Sequence, residues 1–139
     1  MVTGYSVFNS YPQRMHDIIQ TPEVPTANAT YSQAIRAGGF LFVSGQTGVN
    51  PQTGLLISDQ VEEQARQAME NIAAILRAGR SSLAKVVAVN LYLTDYGTLS
   101  LVNQVYREYF PSPGPAKMSC GVSELYGGAK CEIQVIALE

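Results

Sequence analysis

Histidine occurs once in the 139 residues, as His16, and cysteine twice, as Cys120 and Cys131. Two thiols and one imidazole are too few and too far apart for a structural zinc site. A reducing compartment would leave both cysteines as small apolar groups, and His16 reads as a surface or structural residue. Charge is also scarce: Asp, Glu, Lys and Arg make up 14% of the chain, where about a quarter is usual. The nine lysines and arginines stand singly and the net charge is −2. Counterion-release binding to a polyanion needs clustered cations, so no nucleic-acid partner is expected. No apolar run reaches the length of a membrane span, so no membrane partner is expected either. The opening "MVTGYSVFNSYPQRMHD" has neither the charged start nor the apolar centre of a secretory signal, and a cytoplasmic protein is expected.

What is present is apolar. Hydrophobic residues make up 46%, enough for one packed domain of ordinary size. Residues 1–15 read as an irregular leader and 16–139 as the domain. So little charge over so apolar a chain suggests that another copy covers part of its surface. "HDIIQT" predicts a strand ending at Pro22. Gly38-Gly39, between two strand-like runs, predicts a hairpin. Val61, Ala65, Ala68, Met69, Ile72, Ile75 and Leu76 recur at helical spacing and predict a helix over about 59–77. Its cap is expected at Ser58 or Asp59, and Gly79 is the expected left-handed terminator. "KVVAVNLYLTD" is apolar on both parities and predicts a central strand. "TLSLVNQVYREYF" predicts a second helix stopped by Pro111, and "KMSCGVSEL" and "AKCEIQVIAL" predict two strands around a "YGG" turn. The order β, β–β, α, β, α, β–β predicts an α+β domain, with both helices on one face of a single mixed sheet.

Two stretches raise chemical questions. Lys130, Glu132 and Gln134 share one face of the last strand, opposite Cys131, Ile133 and Val135. Such a face is either a wet cleft or an exposed sheet surface. In "PSPGPAKMSCGVSEL", Lys117 stands at a strand entrance beside Ser119 and Cys120. It is either a solvated lysine or the cation of an anion pocket.

Several segments together resemble the RidA (YjgF) family of imine and enamine deaminases. They are "TPEVP" at 21–25, "YSQAI" at 31–35, "FVSGQTGVNPQTG" at 42–54, "QARQAMENIAAIL" at 64–76, "VNQVYREYF" at 102–110, "GPAKMSCGV" at 114–122 and "CEIQVIAL" at 131–138. They run colinearly over about 16–139. The resemblance implies a chorismate-mutase-like homotrimer with a central barrel-like core, helices outside and clefts between neighbouring subunits. It implies hydrolysis of 2-imino or 2-enamine carboxylates to 2-oxo acid and ammonia, without metal or organic cofactor.

The family's cleft-lining tyrosine matches Tyr31, and its "SGQ" turn matches Ser44, Gly45 and Gln46. The cleft-facing asparagine matches Asn103, and the glutamate that orients the attacking water matches Glu132. The residue whose main-chain carbonyl helps hold that water matches Ser119. Ser119 replaces the usual cysteine, and the chain's own cysteine follows at Cys120. Leu99 stands where an aromatic ring is usual. The carboxylate-gripping arginine matches Lys117, which keeps the charge and loses the planar fork.

Chemistry needs a positioned water, a proton carrier and an anion seat, and Glu132, Tyr31 and Lys117 supply that minimum. Each also has a plainer reading. Glu132 could pair with Lys130 or Lys117 across strands, Tyr31 could pack a subunit contact, and Asn103 could face water. The expected function is deamination of small 2-imino or 2-enamine carboxylates, or of a larger enamine of the aminomuconate type, for which Leu99 leaves room. The alternative is a non-catalytic, carboxylate-binding or protective trimer. A ribonuclease or translation inhibitor fits the dispersed charge least.

Overall fold

The computed structural model describes residues 16–27 and 30–139. The expected leader at 1–15 lies outside the described residues. In chain order the elements are β1 (Asp17–Ile19), β2 (Ala34–Ala37), β3 (Phe40–Val43), β4 (Gln46–Thr47), α1 (Val61–Ala78), β5 (Val86–Leu93), α2 (Leu99–Tyr109), β6 (Ala116–Gly121) and β7 (Cys131–Leu138). The strands form one mixed sheet in the order β1-β2-β3-β7-β5-β6, with β4 also pairing with β7. This is the α+β arrangement expected, with the hairpin where the glycines put it. Gly38 and Gly39 take φ of 61° and 86°, and Ala37 faces Phe40, as a two-residue loop requires.

One pairing differs from expectation. β6 and β7 are not neighbours, because β5 lies between them, parallel to β6 and antiparallel to β7. Helix α2 is therefore the crossover of a β5–α2–β6 unit, which a parallel pair needs. After β6, Val122 N donates to Leu93 O at 2.8 Å, and a 3-10 turn at Tyr126–Gly128 precedes β7 on the other side of β5. Burial explains the choice. Every other residue of β7 from Cys131 to Ala137 is buried, whereas no residue of β6 is. The more apolar strand takes the centre and the half-polar one takes the edge.

Both ends of α1 also differ from the expected caps. Gln60 is the N-cap, without a side-chain cap bond, and Ser58 Oγ instead accepts from Gln60 N at 3.0 Å. Buried Gln64 ties this end down. Its Nε2 donates to Ser58 O, and its Oε1 accepts from Lys130 N, both at 2.8 Å. At the other end Gly79 has φ −82°, and Arg80 takes the left-handed position at φ 61°. Gly79 is needed for room, since a Cβ there would lie 2.4 Å from Leu41 Cδ2 and 2.9 Å from Ile19 Cδ1. The helix closes in the usual Schellman pattern, through Ser81 N to Leu76 O at 2.8 Å and Arg80 N to Arg77 O at 3.0 Å, with the left-handed residue one place later than expected.

The helices cover one face of the sheet. Met69, Ile72, Ile75 and Leu76 of α1 and Val102 and Val105 of α2 join Leu41, Leu91, Leu93, Ile133 and Val135 in one buried cluster. The other face has no cover among the described residues, and Ile18, Phe42, Met118 and Leu138 are exposed there. Phe42 faces Ile35 and Ile136, and Ile35 faces Ile18, so these apolar groups form continuous rows across the strands. A contiguous apolar face of this kind marks an interaction surface.

Candidate functional site

A break in strand pairing shapes a cavity on the sheet. Phe42 faces Ile136 and Gln46 faces Ile133, so Val43, Ser44 and Gly45 stand against only Gln134 and Val135. The extra residue is a bulge, which bends the strand and frees its backbone locally. Gly45 lies there against Glu132: a Cβ on Gly45 would fall 2.1 Å from Glu132 Oε1 and 2.9 Å from its Cδ. No side chain but hydrogen fits between this backbone and the carboxylate.

Around the bulge is a cavity of about 880 Å³, lined by Tyr31, Ser44, Gly45, Gln46, Glu132 and Gln134 among others. Its walls are fixed by buried amides. Gln33 accepts from Thr21 N at 2.7 Å and donates to the Thr21 and Pro25 carbonyls, both at 3.1 Å, which holds the 21–25 loop at the cavity edge. Ser44 Oγ donates to Ser32 O at 2.5 Å, and Ser44 N to Gln33 O at 2.9 Å. From α1, Asn71 Nδ2 donates to Val49 O at 3.0 Å and holds the wall beyond β4.

Glu132 is half-buried, with no hydrogen bond or ion pair among the described residues. Burial raises its pKa above the usual carboxylate value. The two lysines that might have paired with it are engaged elsewhere. Lys130 Nζ donates to Asp59 O at 2.6 Å, and Lys117 Nζ donates to Asn103 Oδ1. The cross-strand ion pair considered from sequence is absent among the described residues. On the opposite face of β7, the buried Cys131 thiol is pushed up to about 12, first by burial and then by Glu132, and is chemically inert.

Lys117 belongs to a second cluster. Its register partner is Val89, which faces Val135, and both valines are buried under the helices. Glu132 instead shares its row with Tyr92 and Cys120. Lys117 and Glu132 therefore leave the sheet from opposite faces. The Lys117 ammonium is held by Asn103 of α2 and lies 4.2 Å from the centroid of the Tyr106 ring, a cation–π contact. Its pKa is lowered, chiefly by burial and then by Arg107.

Ser119 is half-buried on β6 and faces Leu91. Leu99 opens α2, packed against the core one turn ahead of Asn103. Within one chain the expected residues thus form two groups, Tyr31–Ser44–Gly45–Gln46–Glu132 around the cavity and Asn103–Lys117 on the helix side of the sheet. Sequence reasoning missed Tyr126, which is 96% exposed at the cavity rim, and the clamp residue Gln33. Tyr126 follows Leu125 and precedes Gly127-Gly128, and an aromatic in so open a turn was the available signal.

The family model described as Endoribonuclease L-PSP matches residues 21–139. A RutC family protein of Pyrococcus horikoshii is 42% identical over 123 residues, which cover 88% of this chain and 98% of that protein. Human 2-iminobutanoate/2-iminopropanoate deaminase is 35% identical over 122 residues, covering 88% of this chain and 89% of its own. The crystal structure of RidA from an Antarctic Psychrobacter superposes with a TM-score of 0.84 at 37% identity, covering 88% of this chain and 99% of that one. A mixed sheet backed by two helices on one face, with a glycine bulge under a carboxylate on the other, defines an L-PSP-type α+β domain. The chain belongs to the RidA (YjgF) family.

Proposed function

We propose that the chain is a hydrolytic deaminase of small 2-imino carboxylates and their 2-enamine tautomers, working in a cleft shared between copies of a homotrimer. The observation that carries the reading is Glu132: a carboxylate without a partner among the described residues, its pKa raised by burial, held against Gly45 in a cavity that also contains the Tyr31 phenol. A general base works best when its pKa moves toward the operating pH. In the proposed step Glu132 takes a proton from a water as its oxygen bonds to the C=N carbon. Glu132 returns that proton to the nitrogen, giving a neutral carbinolamine, and then relays the carbinolamine's hydroxyl proton to the same nitrogen as the C–N bond breaks, so that the 2-oxo acid forms and ammonia leaves. Lys117 seats the substrate carboxylate. The name of the human relative supports this class of substrate.

The two separated clusters support the reading of a shared cleft. Glu132 and Lys117 cannot meet across the sheet of one chain, but a second copy on the open face can bring its Lys117 cluster to this Glu132. Burial of the rows containing Ile18, Phe42 and Met118 would drive that association. Arg36, Arg66 and Arg77 are paired with carboxylates, which argues against a groove for a polyanion.

Light scattering should give a mass near three times 15.0 kDa. A monomer at micromolar concentration would leave the two half-sites apart and overturn the reading. Ammonia release from 2-iminopropionate, generated in situ by an amino-acid oxidase, should exceed the rate in buffer. A rate equal to the buffer's would favour the carboxylate-binding trimer instead.

A further inference from the structure

The Lys117 cluster contains a second cation that the family resemblance does not assign. Arg107 lies four residues after Asn103 on α2, so the two side chains leave the same strip of the helix one turn apart. Asn103 holds the Lys117 ammonium, and Arg107 is near enough to act on that ammonium electrostatically. Arg107 itself has no carboxylate or hydrogen-bond partner among the described residues. The neighbouring Glu108 is taken by Arg66 at 2.9 Å, and Arg36 and Arg77 have carboxylates of their own. Two cations side by side with no anion between them repel each other, and an anionic ligand relieves that repulsion.

We infer that Arg107 and Lys117 together form a two-point anion seat, which selects short dicarboxylate substrates, the imines or enamines of acidic amino acids, over monocarboxylates. Lys117 has limited freedom to grip alone. One of its N–H groups is bound by Asn103, and the ring of Tyr106 covers one side. It can present a point charge to one carboxylate but cannot fix that group's plane. Arg107 offers the free planar fork, one helical turn along the same strip from the Asn103 that holds Lys117. Two cations set side by side in this way can each meet one end of a short dicarboxylate. A monocarboxylate reaches only one of them.

This inference rests on Lys117 being the anion seat of the proposed function, and equilibrium binding of unreactive 2-oxo acids tests it without turnover. Titration calorimetry of the assembled protein should show 2-oxoglutarate binding about tenfold more tightly than 2-oxobutyrate, the scale of one added charge-assisted hydrogen bond. Arg107→Gln should abolish that preference and leave 2-oxobutyrate binding unchanged, and Arg107→Lys should restore part of it. Arg107 is exposed, so these variants should keep the wild-type circular dichroism. Equal affinities in the wild type, or an equal loss for both ligands in Arg107→Gln, would overturn the two-point seat while leaving the deaminase reading in place. Should Lys117→Ala bind both ligands as the wild type does, the anion seat itself fails, and the inference with it.

Discussion

Glu132→Gln should lower turnover of 2-iminopropionate by about a hundredfold or more, the scale expected when a general base is removed with its shape retained. The same variant should be more stable than the wild type at neutral pH. Burial raises the folded-state pKa of Glu132 above its unfolded value, and no partner among the described residues of its own chain offsets the cost of the charge. The folded state therefore holds the proton more tightly, and stability falls as pH rises through the window between the two values. Below the unfolded carboxylate pKa, about 4.3, the penalty is absent, and above the raised folded pKa it is complete. Glutamine carries no such penalty. Thermal melts should show Glu132→Gln ahead at pH 7 and level with the wild type in acid. Wild-type turnover, or a neutral-pH loss of stability, would make Glu132 a structural carboxylate.

Gly45→Ala should have a comparable effect on activity by a different route. The new methyl would occupy the place of the Glu132 carboxylate, 2.1 Å from its Oε1. The atom in the way is the far end of a flexible side chain, so the carboxylate would swing aside while the fold stayed intact. A displacement of an ångström or more at a reacting group costs on the order of a hundredfold in rate. The expected result is a loss of kcat/KM of that size with a nearly unchanged melting temperature. Gly48→Ala is the contrasting case, because its Cβ would meet Gln64 Cα of helix α1 at 2.4 Å. That obstacle is backbone, and the protein should lose stability before activity is at issue.

How far this was legible in the sequence differs from one segment to the next. The α1 stripe from Val61 to Leu76 and the Gly38-Gly39 turn were readable because periodicity and left-handed φ are local properties. Gly79 was not, since the residue is required by Leu41 and Ile19, distant in sequence, rather than by its own φ. Alternation placed Glu132 and Gln134 on one face of β7 and Cys131 and Ile133 on the other, as observed. It could not say that β5 would separate β6 from β7. That single fact of topology puts Lys117 on the face away from Glu132. The family resemblance supplied both residues as members of one cleft, and the register of one chain puts them on opposite faces of the sheet.

The shared cleft is best tested by mixing two impaired chains. Glu132→Gln lacks the base and keeps the Lys117 cluster, whereas Lys117→Ala keeps the base and lacks the cation. Unfolded together and refolded, the two would assemble into mixed trimers, some of whose clefts pair an intact Glu132 from one chain with an intact Lys117 from its neighbour. Deaminase activity of the refolded mixture should clearly exceed that of either variant refolded alone, and should vary with the mixing ratio. A mixture no more active than its separate components, although mixed trimers are present by native mass spectrometry, would contradict a site built from both chains.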